Sequence, residues 1–90
     1  MARIEVTRID DDTFRVEVHD ADGASVHEVS ASAESVRRYC GKASAEQLIE
    51  ASFNFLLERE SKESILTRFD LPVIEDYFPE YPREIRGRLG

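Results

Sequence analysis

The first thirty residues set the narrowest constraint on the fold. Ile4 and Val6 alternate with Glu5 and Thr7; Phe14, Val16 and Val18 alternate with Arg15, Glu17 and His19. A period of two sends successive side chains to opposite faces, so each run reads as a half-buried strand. Asp10-Asp11-Asp12-Thr13 is a polar turn between them, and Asp20-Ala21-Asp22-Gly23 follows the second. Aspartate favours the opening of a type I turn and glycine its last position. This second turn therefore predicts a G1-bulge hairpin leading into a third strand, Ala24 to Val29.

Two registers follow from these turns. Pairing Ile9 with Thr13 sets Val6 opposite Val16 and Ile4 opposite Val18. Pairing Asp20 with Ala24 sets Val18 opposite Val26 and Glu17 opposite His27. Both put even-numbered residues inward: Ile4, Val6, Phe14, Val16, Val18, Ala24 and Val26. The outer side is then Glu5, Thr7, Arg15, Glu17, His19, Ser25 and His27. A slip of one residue in either hairpin would turn a whole strand over. The second strand is central in this meander.

After Ser30 the pattern becomes helical. Ser30 or Ser32 can cap a short helix over 33–40, with Glu34 in its first turn, Arg37 and Arg38 in its last and Gly41 beyond its end. Its inner face is Ala33, Val36 and Cys40, with Tyr39 beside them. The main helix spans 45–60, opened by Ser44 and Gln47 as a capping box. Its apolar residues, from Ala45 to Leu57, cover an arc of roughly 240° at ~100° per residue. One sheet needs a stripe of little more than ~100°. The surplus calls for cover by later helices or by another subunit. Ser61 can cap a helix over 62–69, with Ile65, Leu66 and Phe69 inward. Asp70 can cap another over 71–78, which Pro72 permits in its first turn and Pro79 ends. Residues 80–86 read as extended or a single turn, and 87–90 as a flexible tail.

The predicted fold is thus α+β: a three-stranded antiparallel meander (1–30) covered on one face by a helical half (31–86). Ninety residues make a single domain. No run approaches the ~18 apolar residues of a membrane span. The opening MARIEVTR has no apolar leader, and Cys40 is the one cysteine, so a cytoplasmic setting is expected. The net charge is −7, and residues 1–30 hold eight acidic residues against three arginines. Such a surface repels phosphate backbones and anionic lipid. A helix-turn-helix in the second half would read with LPVIEDYF, which offers Glu75 and Asp76 and no base, so nucleic acid is not the expected partner.

Candidate sites are few. The Asp10–Asp12 and Asp20–Asp22 turns lack the third acid and distant glutamate of a calcium loop. His19, His27 and Glu17 are expected as outward neighbours, a set with transition-metal chemistry, although a plain surface pair is the simpler expectation. Cys40 lies near Arg37 and Arg38, but it sits at a helix C-terminus that disfavours a thiolate and reads as a buried small residue. No catalytic set, metal ligand set or cofactor is expected. Phe69, Tyr77, Phe78 and Tyr81 crowd aromatic surface into thirteen residues, to complete the core or to meet a partner.

FLLERE-x-KESIL followed by FDLPVI-x-x-YFPEY resembles the C-terminal segment of a group of small uncharacterised prokaryotic proteins. The likeness covers about forty of the ninety residues. It implies a bacterial or archaeal cytosolic domain and transfers no site residue. The functional expectation is a non-catalytic protein-interaction module, a homodimer formed through Phe53, Phe55, Leu56, Leu57, Tyr77, Phe78 and Tyr81. The alternative is a domain that binds a small apolar ligand. An enzyme or a nucleic-acid-binding regulator stands behind both.

Overall fold

In a computed structural model, residues 2–40 and 43–89 are described, the Cys40 side chain excepted. The expectations placed on Gly41, Lys42 and the Cys40 thiol lie outside these residues. The chain runs β1 (Arg3–Arg8), β2 (Thr13–Asp20), β3 (Gly23–Ser30), α1 (Ala33–Cys40), α2 (Ala45–Leu57), a 3₁₀ turn (Lys62–Ser64), β4 (Arg68–Asp70), α3 (Val73–Tyr77) and α4 (Tyr81–Leu89). The class is α+β. The sheet, however, has four strands in the order β1-β2-β3-β4, with β4 parallel to β3. The expected three-stranded meander is therefore extended by a strand from the helical half.

The first hairpin has the register its pattern predicts, Ile4 opposite Val18 and Val6 opposite Val16. Asp10 Oδ1 shapes its loop by accepting from the Thr13 N–H at 3.1 Å. In the second hairpin Asp20 pairs with Gly23 across a two-residue link, Ala21–Asp22, without the expected bulge. Asp20 Oδ1 accepts from the Asp22 N–H at 2.8 Å, and Gly23 takes a φ of 131°, which suits a residue without Cβ. Omitting the bulge residue shifts β3 by one position. Val16 now faces His27 and Glu17 faces Val26. Val26 is 47% exposed and His27 only 1%, the reverse of the expected faces.

The helix expected over 62–69 does not form: a 3₁₀ turn, an irregular stretch over 65–67 and the start of β4 take its place. The 3₁₀ turn stops at Ile65, whose ψ is 133°, and Phe69 then lies beside Val29 in the sheet. Parallel pairing needs a long crossover, and α1 and α2 supply it. Asp70 does not cap α3, whose N-cap is Pro72 with no side-chain bond. Its carboxylate instead accepts from the Ser30 hydroxyl across the β3–β4 edge.

α1 has the expected bounds, with Ser32 Oγ accepting from the Ser35 N–H at 3.2 Å. Both bonds of the Ser44–Gln47 capping box form. α2 ends at Leu57, three residues short of its expected end. Residues 81–89, read as a turn and a tail, are helical. Tyr81, Ile85 and Leu89 recur at i, i+4 and i+8, and Pro82 stands in the first turn, where its missing N–H costs nothing. The core lies between the inner sheet face (Phe14, Val16, Val18, Val29) and α2, with α1 and α4 closing the far side.

Candidate functional site

A cleft of about 160 Å³ opens between the end of α2, the 61–67 connector, β4 and α3. Leu56, Ile65, Phe69 and Ile74 form its buried floor, while Val73 and Phe78 are partly covered. Leu66 and Tyr77 stand on the rim, 46% and 67% exposed. The local backbone explains this division. After the 3₁₀ turn, Ile65 points inward and its extended neighbour Leu66 points out. α3 is only five residues long and ends before Pro79, so it cannot roof the space. Glu60 and Ser64 are the cleft's polar side chains. Ser64 Oγ contacts Ser61 Oγ at 3.2 Å.

The seven residues expected to form an interaction surface do not share one exposed face. Phe53 is in the core, its ring 5.3 Å from His27 and 6.1 Å from Phe69. Phe55 is buried against Tyr81 and Phe78, with the Arg59 guanidinium 3.7 Å above its ring. Tyr81 is buried and its hydroxyl meets Ser52 Oγ at 2.6 Å. Leu57 is partly buried. Only Leu56, Tyr77 and Phe78 come together at the cleft. The wide apolar arc of α2 is thus covered from within: Phe53 faces the sheet, and Ser52 and Phe55 face α3 and α4. Ile65, Leu66, Phe69, Val73 and Ile74 complete the cleft, whereas the sequence pattern sets Ile65, Leu66 and Phe69 on the inner face of one helix. Two adjacent large apolar residues, Ile65-Leu66, were the available signal, because an extended chain buries one and exposes the other.

Electrostatic contacts tie the cleft's walls to the sheet. The Lys62 ammonium, buried with its side chain 3% exposed, lies 2.9 Å from Asp20 and 2.5 Å from Glu63. Lys62 and the Asp22 N–H hold the Asp20 carboxyl below the usual range, and the two carboxylates raise Lys62 in turn. His27 accepts no solvent. Its Nδ1–H donates to the Leu66 carbonyl at 2.8 Å, which leaves Nε2 to accept from Ser25 Oγ at 2.8 Å. These contacts fix the connector that carries Leu66 to the rim.

The open sheet face holds a second group. His27 has left that face, and His19 stands with Glu5 and Glu17 instead of with His27 and Glu17. Glu5 and Glu17 are directly opposite across β1–β2. His19 Nε2 lies 3.1 Å from Glu5 Oε2 and 3.5 Å from Glu17 Oε1. Neither contact counts as a hydrogen bond, and this nitrogen is itself shielded from solvent.

No family model, curated protein or solved structure matches the chain. Among the described residues, no helix is long and apolar enough to cross a membrane.

Proposed function

We propose that this chain is a non-catalytic protein-interaction module that pairs with a second copy of itself through the cleft beside α3. The observation that carries this is the placement of Tyr77, a large exposed aromatic side chain on the rim of an apolar depression. A two-fold interface is self-complementary, so a knob and a hole on one patch suit it. Each Tyr77 would then cover the other copy's cleft, with Leu66 beside it. Buried aromatic anchors of this type dominate interface energetics. The small-ligand alternative uses the same cleft, but 160 Å³ is below the ~300–1,000 Å³ of ordinary ligand pockets. A single cysteine and the C-terminal resemblance support a prokaryotic cytoplasmic setting.

Sedimentation equilibrium of the purified chain at high micromolar concentration tests the pairing. The expected mass is twice 10.3 kDa for the natural sequence, falling to the monomer in Tyr77→Ala with unchanged circular dichroism. A natural chain that sediments as a monomer throughout refutes the homodimer. A dimer indifferent to Tyr77→Ala refutes this surface.

A further inference from the structure

We propose that Glu5, Glu17 and His19 form a binding site for a first-row divalent transition metal of the zinc class, on the open face of the sheet. One ligand atom from each residue lies within 4.8 Å of the others. Tetrahedral zinc bonds of about 2.0–2.1 Å place ligand atoms roughly 3.4 Å apart. The His19 Nε2 separations of 3.1 and 3.5 Å from the two carboxylates bracket that spacing. Small side-chain rotations would bring the two carboxylates to the same separation. The donor set is one imidazole and two carboxylates, which suits zinc, cobalt or manganese and gives too few oxygens for calcium.

The sheet supplies the preorganisation. Glu5 and Glu17 are cross-strand partners, and His19 is two residues beyond Glu17 on the same face. Like charges set directly opposite disfavour the pairing unless a cation lies between them. An independent sign is the His19 Nε2 atom itself, closed to solvent, aimed between two carboxylates and making no hydrogen bond. A divalent cation that displaces any proton from Nε2 would satisfy all three donor atoms at once.

The neighbouring cations do not block the site. Arg15 Nε approaches Glu17 through Oε2 at 3.6 Å and leaves Oε1 to the metal, in the manner of an outer hydrogen-bonding support. Arg3 approaches Glu5 Oε2 at 3.3 Å, but its side chain is 72% exposed and free to withdraw. Glu5 is 52% exposed and Glu17 and His19 33%, so water would complete the coordination.

The chain has two histidines, which makes the test direct. Zinc is titrated into ¹⁵N-labelled protein while the imidazole nitrogens are observed. The expected result is a saturable one-to-one shift of the His19 ring, with the doubly hydrogen-bonded His27 ring unmoved. Cys40→Ser should bind equally well, Glu5→Gln and Glu17→Gln roughly tenfold or more weakly, and His19→Ala not at this site. Each variant's circular dichroism and melting curve report whether it folds. A His19 ring unmoved at ~1 mM zinc overturns the proposal. So does saturable binding of undiminished strength in folded His19→Ala, which would place the metal elsewhere.

Discussion

At the scale of single residues, the turn before β3 decides which of its side chains are buried. Asp20 pairs with Gly23, so Ser25, His27 and Val29 face inward, and Val26 faces out. Replacing Val26 by Thr should therefore change stability by no more than about 0.5 kcal/mol. His27→Ala should cost roughly 3 kcal/mol, because it empties space beside Phe53 and leaves the Leu66 carbonyl and Ser25 hydroxyl without a partner. Urea unfolding of the two variants measures both, and the opposite ranking would restore the bulged register. The β1–β2 register was legible because four large apolar residues, Ile4, Val6, Val16 and Val18, agree on one face. β3 offered no such vote. It has one valine on each face, Val26 and Val29, and its buried polar residue is explained only by a carbonyl thirty-nine positions away. The Glu5–Glu17–His19 group was half legible for the same reason: the sequence puts all three on the outer face but groups His27, rather than Glu5, with His19 and Glu17.

At the scale of elements, two segments took conformations their own sequence did not demand. Nothing local bars a helix over Lys62–Phe69. The unpaired edge of β3 competes for it and wins through the Glu28 N–H to Thr67 carbonyl and Leu71 N–H to Ser30 carbonyl bonds, both 2.8 Å. Conversely, 81–89 reads poorly as a helix, with three large apolar residues, a proline and Gly87. It forms because Tyr81 and Ile85 bury completely against α2 and α1. Each such side chain contributes roughly 1.5–3 kcal/mol, and the loss of Tyr81 also uncovers Ser52 and Phe55. Domain stabilities are only about 5–15 kcal/mol. A chain ending at Glu80 should therefore lose cooperative thermal unfolding and bind a hydrophobic dye, which calorimetry and fluorescence would report. A truncated chain that still melts sharply would show that α4 is dispensable.

For the whole molecule, Tyr39 links α1 to α3 and α4. Its ring is 5.1 Å from Tyr81, and its hydroxyl donates to Glu75 Oε1 at 2.9 Å. Burial first, and then the Glu75 carboxylate, push the phenol up to about 12. The unfolded phenol ionises near 10, so its contribution to stability is complete below pH ~10 and is lost as the pH rises toward 12. Between those values the natural protein should lose on the order of 1 kcal/mol more stability than Tyr39→Phe does. Urea midpoints at pH 9 and 11.5 make the comparison, and equal losses would remove Tyr39 from the account. The acid side has the opposite sign. Lys62 lowers Asp20 and Arg88 lowers Glu58, so their stabilisation is present above the ordinary carboxylate range and fades as the pH falls through the depressed values.

The sequence by itself determined what local periodicity and capping can encode. Those were the first two strands and their shared inner face, the bounds of α1, the capped start of α2 and the α+β class. Tertiary structure decided whatever depends on a competing partner distant in the chain. An available sheet edge made β4 from a helical-looking run, and an uncovered face of α2 made α4 from a polar one. A two-residue turn in place of a bulge turned β3 over, putting His27 inside and leaving His19 with two carboxylates. The cleft beside α3 follows from the same physics: it is the space left where β4 and a proline-stopped helix meet without enough chain to close it.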